Sequence, residues 1–153
     1  MIALLLAAAA AAPDACALLE GPEIAAVQGE TPTESKPGQS DQGALQVRSC
    51  VFVLPTLANS VSLEVTRSKG GETRQRWKEL FHSWQRKEEG EKAPKRRVPS
   101  LGDEAFWLPE KPSGALYVLR KKALLRLSIG GPDPRHDKLS RARALMKKAL
   151  RRL

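Results

Sequence analysis

Cys16 and Cys50 are the only cysteines in this chain of 153 residues. A bond between them would tie the start of the chain to a β-like segment and would restrict the folds open to its N-terminal third. Two cysteines are expected to pair in an oxidising compartment, whereas the cytoplasm would keep them as thiols. The fold prediction therefore depends on where the protein resides.

The first twelve residues contain no polar side chain and end in six consecutive alanines. Their length matches the apolar part of a signal peptide and is shorter than the roughly 20 residues that span a bilayer. We predict a signal-peptide-like leader over residues 1–12 and no transmembrane span, with a buried alanine-rich helix as the alternative. Leader and cysteine count together predict export and a Cys16–Cys50 disulfide. The alternative fate of Cys16 is lipidation, although Pro13-Asp14-Ala15 departs from the usual Leu-x-Ala/Gly-Cys pattern.

Hydrophobic periodicity predicts a single domain over residues 13–153. A short helix should begin near Pro22 and end at Gly29, because proline suits the first helical turn and glycine the C-terminal stop. Alternating apolar residues and short apolar runs predict two strand pairs, and apolar stripes at helical spacing predict two further helices. The predicted strands are 47–54, 60–66, 115–120 and 123–129, and the predicted longer helices are 72–87 and 135–153.

The remaining segments read as connections. Residues 31–43 are rich in Pro, Gly, Ser, Gln and Asp and predict a flexible loop, and residues 87–98 form a charged connector. Residues 98–107 read as irregular, with a turn at Gly102-Asp103. The element order αββαββα predicts an α+β fold, in which helices pack on one face of a four-stranded antiparallel sheet.

Few residues suit catalysis or metal binding. With only His82 and His136 as histidines and both cysteines expected to be paired, conventional ligands for zinc are too few, and no cofactor motif is present. Asp103 and Glu104 lie near Trp107, a setting that can shift a carboxyl pKa, but neighbours on a turn usually point apart. A Ser-His-Asp set drawn from Ser83 or Ser100, His82 and Asp103 lacks the Gly-x-Ser-x-Gly elbow. We assign no catalytic residue.

The charge of the chain is strongly positive, with 26 Lys and Arg against 17 Asp and Glu, a net +9. A cationic surface favours polyanions, anionic lipids or acidic partners, although it also serves solubility. The predicted C-terminal helix carries much of this charge, and its alternative role is a solvated face opposite the packed side. The candidate anion-binding residues there are Arg141, Arg143, Lys147, Lys148, Arg151 and Arg152.

The run Leu-Gly-Asp-Glu-Ala-Phe-Trp at 101–107 carries a resemblance to a group of proteins. Together with Cys16-Ala17-Leu18-Leu19, Cys50-Val51-Phe52 and the Gly-Ala-Leu-Tyr-Val segment at 114–118, it makes the chain resemble small uncharacterised exported proteins and lipoproteins of bacteria. The resemblance spans most of the chain after the leader. It implies a secreted, periplasmic or envelope location and a Cys16–Cys50 pair, and it carries over no activity.

These observations predict an exported, non-enzymatic binding or structural module of the bacterial envelope or secreted space, whose partner is another protein of that compartment. One alternative is a weak polyanion or anionic-membrane-surface binder acting through the C-terminal helix. The other is a hydrolase that uses Asp103 or Glu104.

Overall fold

The computed structural model describes residues 14–70, 74–89, 96–109, 113–132 and 137–153. The predicted leader, residues 1–12, lies outside them. The helices are α1 (Gly21–Gln28), α2 (Arg74–Glu89) and α3 (Asp137–Arg152), with short 3₁₀ helices at Ala15–Leu18 and Leu57–Asn59. The strands are β1 (Glu34–Gln42), β2 (Leu45–Val53), β3 (Val61–Ser68), β4 (Arg96–Arg97), β5 (Glu104–Pro109), β6 (Gly114–Arg120) and β7 (Ala123–Ile129).

All these strands form one antiparallel sheet in the order β1-β2-β3-β7-β6-β5-β4. The chain lays down β1 to β3 as neighbours and then leaves the sheet through α2. It returns from the opposite edge through β4, β5 and β6, so that β7 pairs with β3 in the centre. Two meanders therefore meet at the β3–β7 contact, where Leu63 lies opposite Leu127.

The prediction of a four-stranded sheet in the order αββαββα is wrong, because the sheet has seven strands. The four predicted strands do exist, and they are neighbours at its centre, in the order β2-β3-β7-β6. The missing strands are β1, β5 and the two-residue β4. The α+β character is confirmed, as are α1 and the overlapping parts of α2 and α3; residues 72–73 and 135–136 of the predicted longer helices lie outside the described part.

Two of the missing strands lack the alternation that marks a half-buried strand. Every residue of β1 is exposed, so the predicted loop 31–43 carries no apolar face and is a strand only through its pairing with β2. In β5 four consecutive residues are buried, because both faces of that strand are covered. Period 2 is visible in a sequence only when one face meets water.

The prediction that helices pack on one face is also wrong. Along β6, Leu116 and Val118 face a core shared with α1 and α3, whereas Tyr117 and Leu119 face a second core shared with α2. We call these the α3 face and the α2 face of the sheet. Trp77 and Phe81 of α2 are buried on the α2 face, which agrees with the predicted core role of that helix stripe.

The Cys16–Cys50 disulfide is present, with the two Cα atoms 5.0 Å apart. It joins the first 3₁₀ helix to β2 on the α3 face, where Cys50 is fully buried. The segment that follows continues this attachment, since Leu18, Leu19 and Ile24 belong to the same core. The N-terminal segment is therefore part of the domain's main core.

The ends of α1 follow the predicted chemistry. Glu20 and Glu23 form a reciprocal capping box at the start of the helix, with Pro22 in the first turn. Gly29 ends the helix with φ of 77°, a left-handed conformation that costs glycine little, and its N–H donates to the carbonyl of Ala25.

Candidate functional site

A cleft opens at one end of the α3 face, beside the β6–β7 turn. Register places Arg67 of β3 and Arg120 of β6 on either side of Ala123 of β7, so the three residues form one row across the sheet. Two residues further along each strand, on the same face of the sheet, the next row is fully buried and consists of Val65, Leu125 and Val118. The cleft thus lies where the apolar core ends and cationic side chains begin.

The cleft has a volume of about 400 Å³. We call it the basic cleft, and its lining residues are Arg67, Arg120, Lys121, Lys122, Ala123, Leu150 and Leu153. Four of these are cations from two strands and a turn, none has an acidic side chain, and the two leucines come from the C-terminal end of α3 and the residue after it. Positive charge and apolar side chains therefore line the same cleft.

Within the described part of the chain, none of the four cationic side chains forms a hydrogen bond or an ion pair. Arg67 and Arg120 are half-buried, and Lys121 and Lys122 are exposed. The Nε atom of Arg67 is buried and has no hydrogen-bond partner among these residues. Because a buried donor without a partner loses the hydrogen bonds that water would supply, this guanidinium favours an acceptor inside the cleft.

The backbone of the β6–β7 turn is strained at one of these cations. Lys121 has φ of 53°, in the left-handed region where glycine or asparagine is the usual residue and where another side chain costs about 1–2 kcal/mol. Its N–H donates to Asp103 Oδ2 at 2.8 Å, which attaches the turn to the loop before β5. Backbone conformations of this kind occur often at functional sites.

The C-terminal end of α3 supplies part of the opposite charge. Its unpaired carbonyl groups carry the equivalent of roughly half a negative charge, which attracts nearby cations. Half a charge offsets only a small part of the four positive charges of the basic cleft. The negative end of the helix dipole therefore offsets some, but not all, of the positive charge that lines the basic cleft.

The structure places three of the six candidate anion-binding residues of α3 in contacts within the fold. Arg141 donates to the side chain of Gln28 and to the carbonyl of Pro132, and Arg143 donates to the carbonyl of Pro99. Arg152 donates to the Leu18 carbonyl and pairs with Glu23. Arg141 and Arg152 therefore fasten α3 to other parts of the chain.

The Arg152–Glu23 ion pair joins the end of α3 to the first turn of α1. Only 13% of the Glu23 side chain is exposed. Burial raises the pKa of the Glu23 carboxyl, but the hydrogen bond from Arg152, the backbone N–H of Glu20 and the charges of Arg152 and Lys148 together hold that pKa below its usual range. A depressed pKa means that the pair stabilises the fold at neutral pH and that this contribution disappears as the pH falls through the folded-state pKa of Glu23.

The other three candidates, Lys147, Lys148 and Arg151, are exposed on α3. They do not line the basic cleft. Their role in anion binding remains a prediction, and Lys147 and Lys148 provide the control for charge alone in the test of the proposed function.

Asp103 and Glu104 have separate partners. Asp103 accepts from the backbone of Lys121, as the turn-forming interpretation requires, whereas Glu104 contacts His82 of α2, with 2.7 Å between Oε2 and Nε2. Ser83 is exposed, and within the described residues neither it nor Ser100 is hydrogen-bonded to His82. The Ser-His-Asp arrangement considered from the sequence is therefore not assembled among these residues.

We expect Asp103→Ala to lower the free energy of unfolding by about 1 kcal/mol, the usual value of a hydrogen bond of this kind. Asp103→Asn is the matched control, because its side-chain oxygen can still accept from Lys121. Urea denaturation of the two variants checks the prediction. Equal stability of the alanine and asparagine variants would show that this hydrogen bond does not hold the turn.

Sequence reasoning noted only part of the basic cleft. Lys121 and Lys122 lie between the predicted strands 115–120 and 123–129, and Arg120 precedes them directly, so the sequence brings these three cations together. Arg67 comes from the other meander and the leucines come from the end of the chain, so only the β3–β7 pairing and the packing of α3 bring them together.

Comparison with known proteins finds no family whose sequence pattern matches this chain and no curated protein with significant similarity to it. Within the described ranges, no three side chains of His, Cys, Asp or Glu are grouped as metal ligands would be. None of the described helices has both the length and the hydropathy needed to cross a membrane.

Proposed function

We propose that this protein is an exported, non-enzymatic binding module that holds an anionic ligand in the basic cleft. The observation that carries the proposal is the convergence of four cations from two strands and a turn on one concave surface without an acidic side chain among its lining residues. Arginine and lysine are the side chains that bind carboxylates and phosphates, and arginine can do so with two parallel hydrogen bonds.

Electrostatics makes such a grouping unfavourable unless an anion is bound. Arg67 and Arg120 stand two strands apart, which places their backbones about 10 Å from each other. Two like charges at that separation repel by about 0.4 kcal/mol in water and by about 1.7 kcal/mol at an effective dielectric constant of 20. A surface that needed positive charge for solubility alone could avoid this repulsion by spreading its cations.

The exported part of the proposal rests on other observations. The apolar leader and the Cys16–Cys50 bond are both expected of a protein that resides in an oxidising compartment. We therefore propose a secreted, periplasmic or envelope location for the binding module.

The test compares two variants that lose the same charge at different places. Lys121→Gln/Lys122→Gln neutralises two residues of the basic cleft, and Lys147→Gln/Lys148→Gln neutralises two exposed residues of α3 outside it. The probe is inorganic phosphate at low ionic strength, followed by chemical shifts of backbone amides. In the parent protein we expect the largest shifts at residues 67, 120–123 and 150–153.

We expect the cleft variant to bind phosphate roughly tenfold more weakly, because each charge-assisted hydrogen bond contributes about 1.5–3 kcal/mol before solvent screening reduces it. The α3 variant should bind nearly as well as the parent. Raising the ionic strength to about 0.15 M should weaken binding in the parent more than in the cleft variant. An equal loss of phosphate affinity in both variants would show that only the overall charge matters. A loss confined to the α3 variant would show that phosphate binds at the helix and not in the cleft.

A further inference from the structure

The basic cleft also has an apolar wall. Leu150 and Leu153 line the cleft together with the cations, and Ala123 lies between Arg67 and Arg120. Leu150 is almost fully buried, whereas Leu153 is half-buried and packs at the margin of the main core. A small hydrated anion would contact the cations and leave this wall against water, so it would use only half of the surface that the cleft offers.

We infer that the ligand is an amphiphile, a phosphate group joined to an alkyl or acyl chain. This inference rests on the proposed function and adds the class of ligand. The phosphate would lie between Arg67, Arg120 and the lysines of the turn, and the first carbons of the chain would lie along Leu150 and Leu153. A volume of about 400 Å³ accommodates a headgroup and a short part of such a chain, with the remainder leaving through the open mouth.

Charge and apolar surface together favour this ligand over a nucleic acid. Binding of single-stranded nucleic acid relies on aromatic side chains on which bases stack, and the residues lining the basic cleft include none. The same phosphate amphiphile has two sources, a phospholipid headgroup in a membrane or a free single-chain lipid.

The first experiment is a series of soluble ligands: inorganic phosphate, propyl phosphate, hexyl phosphate and octyl phosphate, each kept below its micelle concentration and measured by calorimetry. Complete burial of a methylene group strengthens binding about fourfold, and a half-open wall should give about twofold for each of the first methylenes. Octyl glucoside, which has the same chain and no charge, should bind much more weakly than octyl phosphate. Affinity independent of chain length would overturn the inference while leaving the proposed function intact, and absence of binding by every phosphate would overturn both.

A matched pair of variants locates the chain on the protein. Leu153 and Leu139 are both half-buried residues at the margin of the same core, but only Leu153 lines the basic cleft. We expect Leu153→Gln to remove most of the gain from hexyl over propyl phosphate and to leave binding of inorganic phosphate within about twofold. Leu139→Gln should change neither. An equal effect of the two variants would overturn the inference, because it would reflect general loosening of the core.

Vesicles distinguish the two sources. Sedimentation with phosphatidylcholine vesicles, with and without about one-third phosphatidylglycerol, measures binding to a membrane surface. Binding that requires phosphatidylglycerol and is lost in Leu153→Gln supports a phospholipid headgroup as the source. Strong binding of octyl phosphate without vesicle binding supports a free lipid. A third outcome would overturn the inference. If the affinity for alkyl phosphates does not depend on the alkyl chain, and single-stranded DNA binds in the cleft of the parent but not of Lys121→Gln/Lys122→Gln, the cleft is a polyanion site.

Discussion

Replacing both cysteines by alanine should lower the free energy of unfolding by about 3–4 kcal/mol. The Cys16–Cys50 bond closes a loop with a sequence separation of 34 residues, and the chain-entropy relation gives a stabilisation of about this size for a loop of that length. The structure adds a reason to expect the full effect. The bond attaches the first 3₁₀ helix to β2 inside the main core, where Leu18 and Leu19 are buried. Urea denaturation of the oxidised parent and of the double variant measures the difference.

Two controls separate the cross-link from the side chains themselves. Reduced parent protein keeps both sulfur atoms and should resemble the double variant, and Cys16→Ala alone should cost nearly as much as both changes together. A difference below about 1 kcal/mol would mean that the N-terminal segment is held without the bond. Mass spectrometry of protein recovered from its native compartment tests location as well, since two free thiols there would contradict the proposed export.

Replacing Trp107 by alanine should lower the free energy of unfolding by about 3–5 kcal/mol, the range for loss of a large buried side chain. Only 7% of Trp107 is exposed, and its indole lies on the α3 face of β5 among the residues of the main core. Space for the ring depends on Gly114. A Cβ atom added there would stand 2.2 Å from Cζ2 of the indole. The measurement is again urea denaturation, with the shape of the transition as a check on two-state unfolding.

Trp84 is the matched control for this prediction. It is half-buried and makes an edge contact with Tyr117, with 6.2 Å between ring centroids. Trp84→Ala should cost less than half as much as Trp107→Ala. Gly114→Ala should destabilise the parent by about 1–3 kcal/mol through overpacking, and it should cost much less once Trp107 is alanine. A loss below about 1 kcal/mol for Trp107→Ala would contradict the packing described for this face.

The strands that the sequence revealed are those whose environments differ on their two faces or whose apolar runs are bounded by turns. β3 shows this directly, because Val61, Leu63 and Val65 are buried while Ser62 and Glu64 are half-exposed. β1 and β5 lie at the two extremes, one with no buried residue and the other covered on both sides. Neither strand alternates apolar and polar residues, so the number of strands in the sheet could not be predicted from the sequence.

The face of the sheet that each helix covers could not be predicted either, because it depends on which strands are buried on both faces. The apolar stripes of α2 and α3 were predicted from their spacing, and both are buried as expected. A stripe states that a helix is covered on one side, but it carries no information about which face of a sheet covers it. In β6, residues on both faces are buried, and this demands helices on both sides of the sheet. The prediction placed all helices on one face because β5 and the buried character of β6 were not recognised together.

The sequence by itself determined the features that depend on residue type and on near neighbours. These are the Cys16–Cys50 disulfide, the ends of α1, the apolar stripes of the longer helices and the four central strands. Only the tertiary structure decided which cations meet. Arg67 and Arg120 come to lie on either side of Ala123 because β7 returns to pair with β3, and Arg152 forms an ion pair because the N-terminal segment brings Glu23 to it. The physical reason is that side-chain periodicity records whether a residue is covered, whereas strand order and register, which bring distant residues together, are set by the packing of the whole chain.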